Sequence, residues 1–465
     1  MAGVPLPFRA ALVALFVAAS PLALHAEGAE PLQIFARFKS ALDANDLASA
    51  SARAEELISA IETQYGGNAR ELVNPVTNLG TVQFRRGEFS AAEASYQRAI
   101  KLIEGQLSGA DRLLIRPLQG LGETWLMMGR PADAAVVLKR AVDLSRNLDG
   151  LYNAEQLDAV DALIEAYASL GRDVDAEREH QFAFRIAETN YGKRDLRLVE
   201  PLDRLARWYE AVGRYSTARG LHARALQLAE ELSTERPIVG VPALRGLART
   251  WMLESVYGPE VSEEPGLEPS DSRDPFFNNA VQGRMNQEGL RALNMAVEII
   301  NRTPPIDMRL LGETMAQIGD WHLLAGNNSK AYASYAESWR SLEPAGSEAR
   351  RFLEVPRPLV YRAPSISLSR MGPQSPDEYA IREVDMRLKV GRDGKVQDAV
   401  VAQSSAPENS SRAALTAARK ARFAPRIENG QAVETEGVPL VERLLIRIQR
   451  EKPQASTSDR PVATP

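Results

Sequence analysis

At 465 residues, with a formal net charge of −5 and a pI near 5.7, the chain has room for two or three domains and no global charge to steer it onto nucleic acid. It contains no cysteine, which excludes disulfides, thiolate catalysis and cysteine-based metal sites and leaves stability to core packing. Aromatic content is low, at 6%, while alanine is abundant, a composition suited to helices packed through small residues.

Residues 1–26 carry one early positive charge, Arg9, then the apolar run AALVALFVAA and SPLALHA, ending on a small residue. This is the layout of a secretory signal peptide, with cleavage expected after Ala26. The run is interrupted by Ser20 and Pro21 and is short for a membrane span. No later stretch approaches the roughly 18 apolar residues that a span requires, so the exported chain is expected to be soluble.

The middle of the chain repeats itself. GEFSAAEASYQRAIKLIE from Gly87, GRPADAAVVLKRAVDLSR from Gly129, GRDVDAEREHQFAFRIAE from Gly171 and GRYSTARGLHARALQLAE from Gly213 are spaced 42 residues apart. Alanine follows each glycine at five residues (Ala92, Ala134, Ala176, Ala218) and again at twelve (Ala99, Ala141, Ala183, Ala225). Trp125, Tyr167 and Tyr209 stand four residues before their glycines, and Pro75, Pro117 and Pro201 twelve before. The pattern predicts a helix, a turn closed by a left-handed glycine, and a second helix whose alanines allow close approach. Proline is compatible with the first turn of the leading helix. A fixed period of this kind marks a solenoid, each unit burying its apolar face on the next.

These residues resemble the tetratricopeptide repeat in the longer-period form of kinesin-light-chain-type arrays, which implies a platform binding proteins or peptides on a concave face. The phase extends back to a degenerate first unit over 31–66 and forward to Gly326 with Ala331, and one period before Gly326 lies Arg284. The expected solenoid covers 31–345. Residues 257–275, acidic and rich in Pro, Ser and Gly, read as a disordered insertion.

Beyond Pro344 the composition shifts. Residues 346–380 read as an extended Pro/Ser-rich linker. The period then changes from 3.6 to 2: Val384, Met386, Leu388 and Val390 alternate with Asp385, Arg387 and Lys389, predicting a half-buried strand. Asp393-Gly394 is a hairpin-turn signal, KVQDAVVAQS a return strand, and SRAALTAARKARF a short helix. VPLVERLLIRIQR is a final strand with Leu444, Ile446 and Ile448 on its core face. The order β-β-α-β predicts a small α+β domain with an antiparallel sheet over 381–450, followed by a disordered tail, 451–465.

This domain resembles the TonB C-terminal domain. The resemblance rests on Asp393-Gly394, Ser404-Ser405, Ala413-Ala414, Ala417, Arg422-Phe423, Pro425 and Asn429-Gly430 at the family's spacing. It implies strand addition, in which the last strand pairs its free edge with an extended segment of a partner such as an outer-membrane transporter. Val441, Arg443, Leu445 and Arg447, on the outward face, are the expected partner-binding residues. Proline at Ile446 is expected to abolish capture by removing a ladder donor.

The basic run Arg419, Lys420, Arg422 and Arg426 reads as a solvated helix face, without the aromatic ladder of a nucleic-acid surface. His180 and His222 share one repeat position, where Tyr96 and Leu138 stand in other copies, and read as packing substitutions rather than metal ligands. No phosphate loop, dinucleotide fingerprint, H-E-x-x-H or G-x-S-x-G occurs. The expectation is therefore a periplasmic interaction protein, not an enzyme, without cofactor, metal or nucleic acid. The alternative is a membrane-anchored energy transducer of the TonB family, held by an uncleaved N-terminus.

Overall fold

A computed structural model describes residues 29–105, 111–258, 275–362 and 379–447. The expected signal peptide, most of the acidic insertion, the second half of the linker and the tail lie outside the described residues.

The described helices of the first part form seven antiparallel pairs in chain order. They are α1 (Ala29–Asp43) with α2 (Leu47–Tyr65), α3 (Val73–Arg85) with α4 (Phe89–Glu104), and α5 (Ile115–Met127) with α6 (Pro131–Asp149). Then come α7 (Leu157–Ser169) with α8 (Asp173–Tyr191), α9 (Val199–Ala211) with α10 (Tyr215–Leu232), α11 (Val241–Tyr257) with α12 (Pro275–Arg302), and α13 (Met308–Leu324) with α14 (Asn328–Leu342).

The 42-residue period has a direct backbone cause. Gly87, Gly129, Gly171, Gly213 and Gly326 all take positive φ, between +65° and +82°. In each case the following N–H reaches back to a carbonyl five residues earlier, as from Arg130 to Trp125 at 2.8 Å and from Arg214 to Tyr209 at 2.8 Å. This closes the leading helix and reverses the chain. The alanines at plus five are buried without exception, and in the units of Gly87, Gly129, Gly213 and Gly326 the large residue at plus nine fills a notch left by a glycine. Tyr96 lies so close over Gly120 that a Cβ there would stand 2.3 Å from its ring, and Leu138 and Tyr335 occupy the same kind of notch at Gly122 and Gly319.

Neighbouring pairs are also joined by a periodic ion pair: Arg98 with Glu62, Arg140 with Glu104 and Arg224 with Glu188. In the third unit Phe182 replaces the arginine, and Arg146 stacks on its ring at 4.2 Å. Exposed pairs of this sort contribute under about 1 kcal/mol each, so apolar packing carries the solenoid.

Two expectations need correction here. The insertion does not separate two repeats; it enters between the two helices of the sixth pair, after Gly258 (φ +90°). Arg284, where the period placed a turn, lies inside the continuous helix α12. Nor is 346–362 a free extended linker. It forms the short helix α15 (Ser347–Arg350), a turn of 3-10 helix and strand β1 (Arg357–Val360).

The C-terminal domain has the expected β-β-α-β core: β2 (Tyr379–Val390), β3 (Val396–Ser404), α16 (Glu408–Arg419) and β7 (Thr435–Arg447). Three short strands stand between helix and last strand: β4 (Arg422–Ala424), β5 (Arg426–Glu428) and β6 (Gln431–Val433). The helix expected through Phe423 ends at Arg419, because Arg422–Ala424 leaves to pair antiparallel with β1. The main sheet is antiparallel in the order β3-β2-β7, with β2 central. One face carries Val384, Met386, Leu388, Val438 and Leu444 against Ala414, Ala418 and Phe423.

Candidate functional site

The sheet has two edges, and they differ. Strand β3 slips register against β2 twice within nine residues, bulges of the kind that twist an edge away from further pairing. Strand β7 pairs with β2 without interruption from Val438↔Leu388 to Arg447↔Tyr379. No described strand pairs with its other side. The flat, long edge is β7.

Chemistry fixes which backbone groups of β7 point outward. Pro439 stands opposite Arg387 and has no N–H, so this pair cannot exchange ladder bonds. The same parity follows from Glu383, whose N–H donates to Ser405 Oγ (2.9 Å) and whose carbonyl accepts from Ser405 N–H (2.9 Å), both on the β3 side. Alternation then turns the backbone groups of Val441, Arg443, Leu445 and Arg447 away from β2, and those of Glu442, Leu444 and Ile446 toward it.

The four sequence-expected residues are thus the positions with outward backbone. The Val441 side chain is 48% exposed, and exposed Arg443 donates through Nε to Glu383 at 3.0 Å. Leu445 and Arg447 continue the alternate positions along the strand. Leu444 is buried and Ile446 packs against the core, as their parity implies.

The motif residues build the scaffold behind this edge. Asp393-Gly394 makes the β2–β3 turn, with Gly394 at φ +72° and Asp393 Oδ1 accepting from Lys395 N–H at 3.2 Å. A side chain at Gly394 would collide with the Phe423 carbonyl at 2.0 Å. Phe423 is buried in β4, Pro425 links β4 to β5, and Asn429-Gly430 turns β5 into β6 with φ of 50° and 76°.

Sequence reasoning missed Glu442. Glu442 is 1% exposed on the helix-covered face of β7, and the Tyr361 hydroxyl lies against its carboxyl without closing a well-formed hydrogen bond. Period-two parity alone could have found it, since 442 falls between core positions 440 and 444. Burial pushes the Glu442 carboxyl above its ordinary range, opposed in part by the Tyr361 hydroxyl. A raised folded-state pKa adds stability that is full below the unfolded glutamate value and is lost as pH rises through the folded one. The domain is therefore expected to weaken as pH climbs from the glutamate range toward neutrality. Glu442→Gln should flatten that slope and stabilise the domain at pH 7, read as denaturation midpoints against pH; an unchanged slope would contradict it.

The histidines sit in packing positions. His180 lies on Trp208 with ring centroids 4.8 Å apart, and burial, then Arg204, lowers its pKa to about 4. His222 is fully buried over Gly246, with Nε2 2.9 Å from Glu210. On the solenoid, Asp158, Asp161 and Glu165 occupy α7, which has no basic residue. Burial raises Glu123 on α5 to about 7, opposed by a hydrogen bond from Gln119 and aided by the charges of Asp158 and Glu165.

Residues 383–441 match the family model of the Gram-negative bacterial TonB protein C-terminal, and residues 74–147 match that of the tetratricopeptide repeat. No curated protein matches the chain. Among solved structures, BtubC (BKLC) from P. vanneervenii is 14% identical, covering 74% of this chain and 99% of its own, with a TM-score of 0.37. The nearly identical TPR-like repeats of a Podosopora anserina putative kinesin light chain are 16% identical over 52% of this chain and 99% of theirs, at 0.37. The apo form of RapI is 12% identical over 68% and 98%, at 0.38. At such scores these likenesses bear on neither partner nor curvature. The chain joins tetratricopeptide repeats to a TonB C-terminal domain, two kinds of module that serve interaction rather than catalysis.

Proposed function

We propose that this is an exported periplasmic interaction protein whose solenoid docks one partner and whose C-terminal domain captures a second by strand addition on β7. The observation that carries the reading is the uninterrupted register of β7 at the sheet's end, with the outward backbone of four alternate residues after Pro439. Each ladder bond contributes about 0.5–1.5 kcal/mol net, so four outward positions suit an extended segment of moderate affinity, a partner such as an outer-membrane transporter or another envelope protein. Cofactor, metal and nucleic acid have no part in it, and membrane contact arises only if the N-terminus is retained.

A photo-crosslinking amino acid at position 443 of the full-length chain tests the capture. Adducts are expected from 443 and not from the same probe at Gln403 on the bulged β3 edge; equal labelling from both would overturn the reading. N-terminal sequencing of the exported protein tests the compartment. A mature chain beginning at Glu27 supports export with cleavage, whereas an intact Met1 would support the anchored transducer.

A further inference from the structure

We propose that residues 357–362 form a clamp that locks the strand-presenting domain onto the end of the solenoid, so that β7 and the repeats form one rigid receptor. The clamp grips at two points. Arg357 donates to both oxygens of Asp320, at 3.2 Å each, and stacks over Phe352 at 5.1 Å. Asp320, on α13 and 5% exposed, also accepts from the buried Tyr335 hydroxyl of α14 at 2.8 Å.

The second point is Tyr257, the last residue of α11. Its hydroxyl accepts from the Tyr361 N–H at 3.0 Å and faces the Tyr361 carbonyl at 3.2 Å. Arg362 donates to the Val256 carbonyl at 2.8 Å and lies over the Tyr257 ring.

Between these points β1 zips to β4, making the clamp part of the domain's own sheet structure. The apolar contact runs parallel: Leu323, Tyr335 and Leu342 of the last helix pair share a cluster with Ala424 and Ile427. Gly430 at the β5–β6 turn rests on Ala336 and Trp339 of α14. A terminal repeat exposes an apolar face that needs a cap, and here the β-domain supplies it.

Tyr361 carries the connection further, because its hydroxyl meets Glu442 on β7 itself. A segment seated on β7 and a protein seated on the repeats are then held at one distance and direction, which raises the effective concentration of the second for the first. That consequence rests on the function proposed above; the clamp does not.

The test needs no partner. The chain has no native cysteine, so Val174→Cys on α8 and Val400→Cys on β3, 73% and 52% exposed, can be spin-labelled in the full-length protein. One narrow distance is expected, and Arg357→Ala combined with Tyr257→Phe and Arg362→Ala should broaden it. The pair Val136→Cys and Val174→Cys should stay narrow in the same variant, separating loss of the clamp from loss of the solenoid. A broad distribution in the unmodified clamp, or a narrow one surviving its removal, would overturn the proposal.

Discussion

Replacing Asp320 by alanine should cost the junction about 3 kcal/mol or more, the price of leaving a buried charge and hydroxyl without their acceptor. Asp320 serves two donors at once, the Tyr335 hydroxyl, buried against α13, and the Arg357 guanidinium. Alanine strands both. Tyr335→Phe removes a single hydrogen bond to the Asp320 carboxylate and leaves the Arg357 pair intact, for about 1.5 kcal/mol. Asp320→Asn keeps an acceptor for each donor and should fall between the two. Arg357 is partly solvated, with its side chain 32% exposed, which places the alanine figure at the low end for a broken buried pair. Trp339 packs against the cluster that holds Tyr335, Ala424 and Ile427, so denaturation followed by tryptophan fluorescence reports on this region. Equal losses for Asp320→Ala and Tyr335→Phe would show that Arg357 contributes nothing to the junction.

The junction is also where the sequence was least readable. Repeat units announce themselves because one backbone requirement, a glycine at positive φ, recurs every 42 residues with its buried alanines. The β2–β3 hairpin is legible for the same local reason: alternation on both sides of Asp393-Gly394. Strand β1 has no such signature. Arg357–Val360 is four residues long, holds Pro358, and finds its partner more than 60 residues downstream. Prolines 356 and 358 correctly imply an extended chain, but extension alone does not distinguish a tether from a paired strand. The insertion misled the period in a different way. Once α11 ran on to Tyr257, the phase counted back from Gly326 no longer marked a turn, and α12 simply continued through Arg284.

At the edge strand the sequence supplied the face but not the direction of the backbone. Alternation separates Val441 and Arg443 from Leu444 and Ile446, whatever the neighbour. Which of them turns N–H outward depends on pairing with β2, and the register opposite Pro439 together with the Glu383–Ser405 bonds settles that. Hence Glu442 also escaped notice: its parity is that of the core, yet its chemistry is that of a surface residue.

The register reverses one expectation from the sequence, and the reversal is testable. Ile446 is turned toward Ala380, so its N–H belongs to the internal ladder. Ile446→Pro removes that bond, strands its acceptor on β2 and presses a ring against that strand, a loss of about 1–3 kcal/mol that weakens the sheet itself instead of merely blunting its edge. Arg443→Pro is the selective change. Position 443 shares the outward parity of Pro439, a proline this strand already accommodates, so the sheet should remain folded. Its outward donor disappears and a pyrrolidine ring meets any incoming strand, so capture should fall at least about tenfold, the worth of roughly 1.4 kcal/mol. Losing the exposed Arg443–Glu383 pair contributes under about 1 kcal/mol, and Arg443→Ala measures that part alone. Thermal unfolding of the two proline variants, paired with capture by the crosslinked partner, separates the cases. Unimpaired capture by a folded Arg443→Pro chain would remove β7 from consideration as the docking edge.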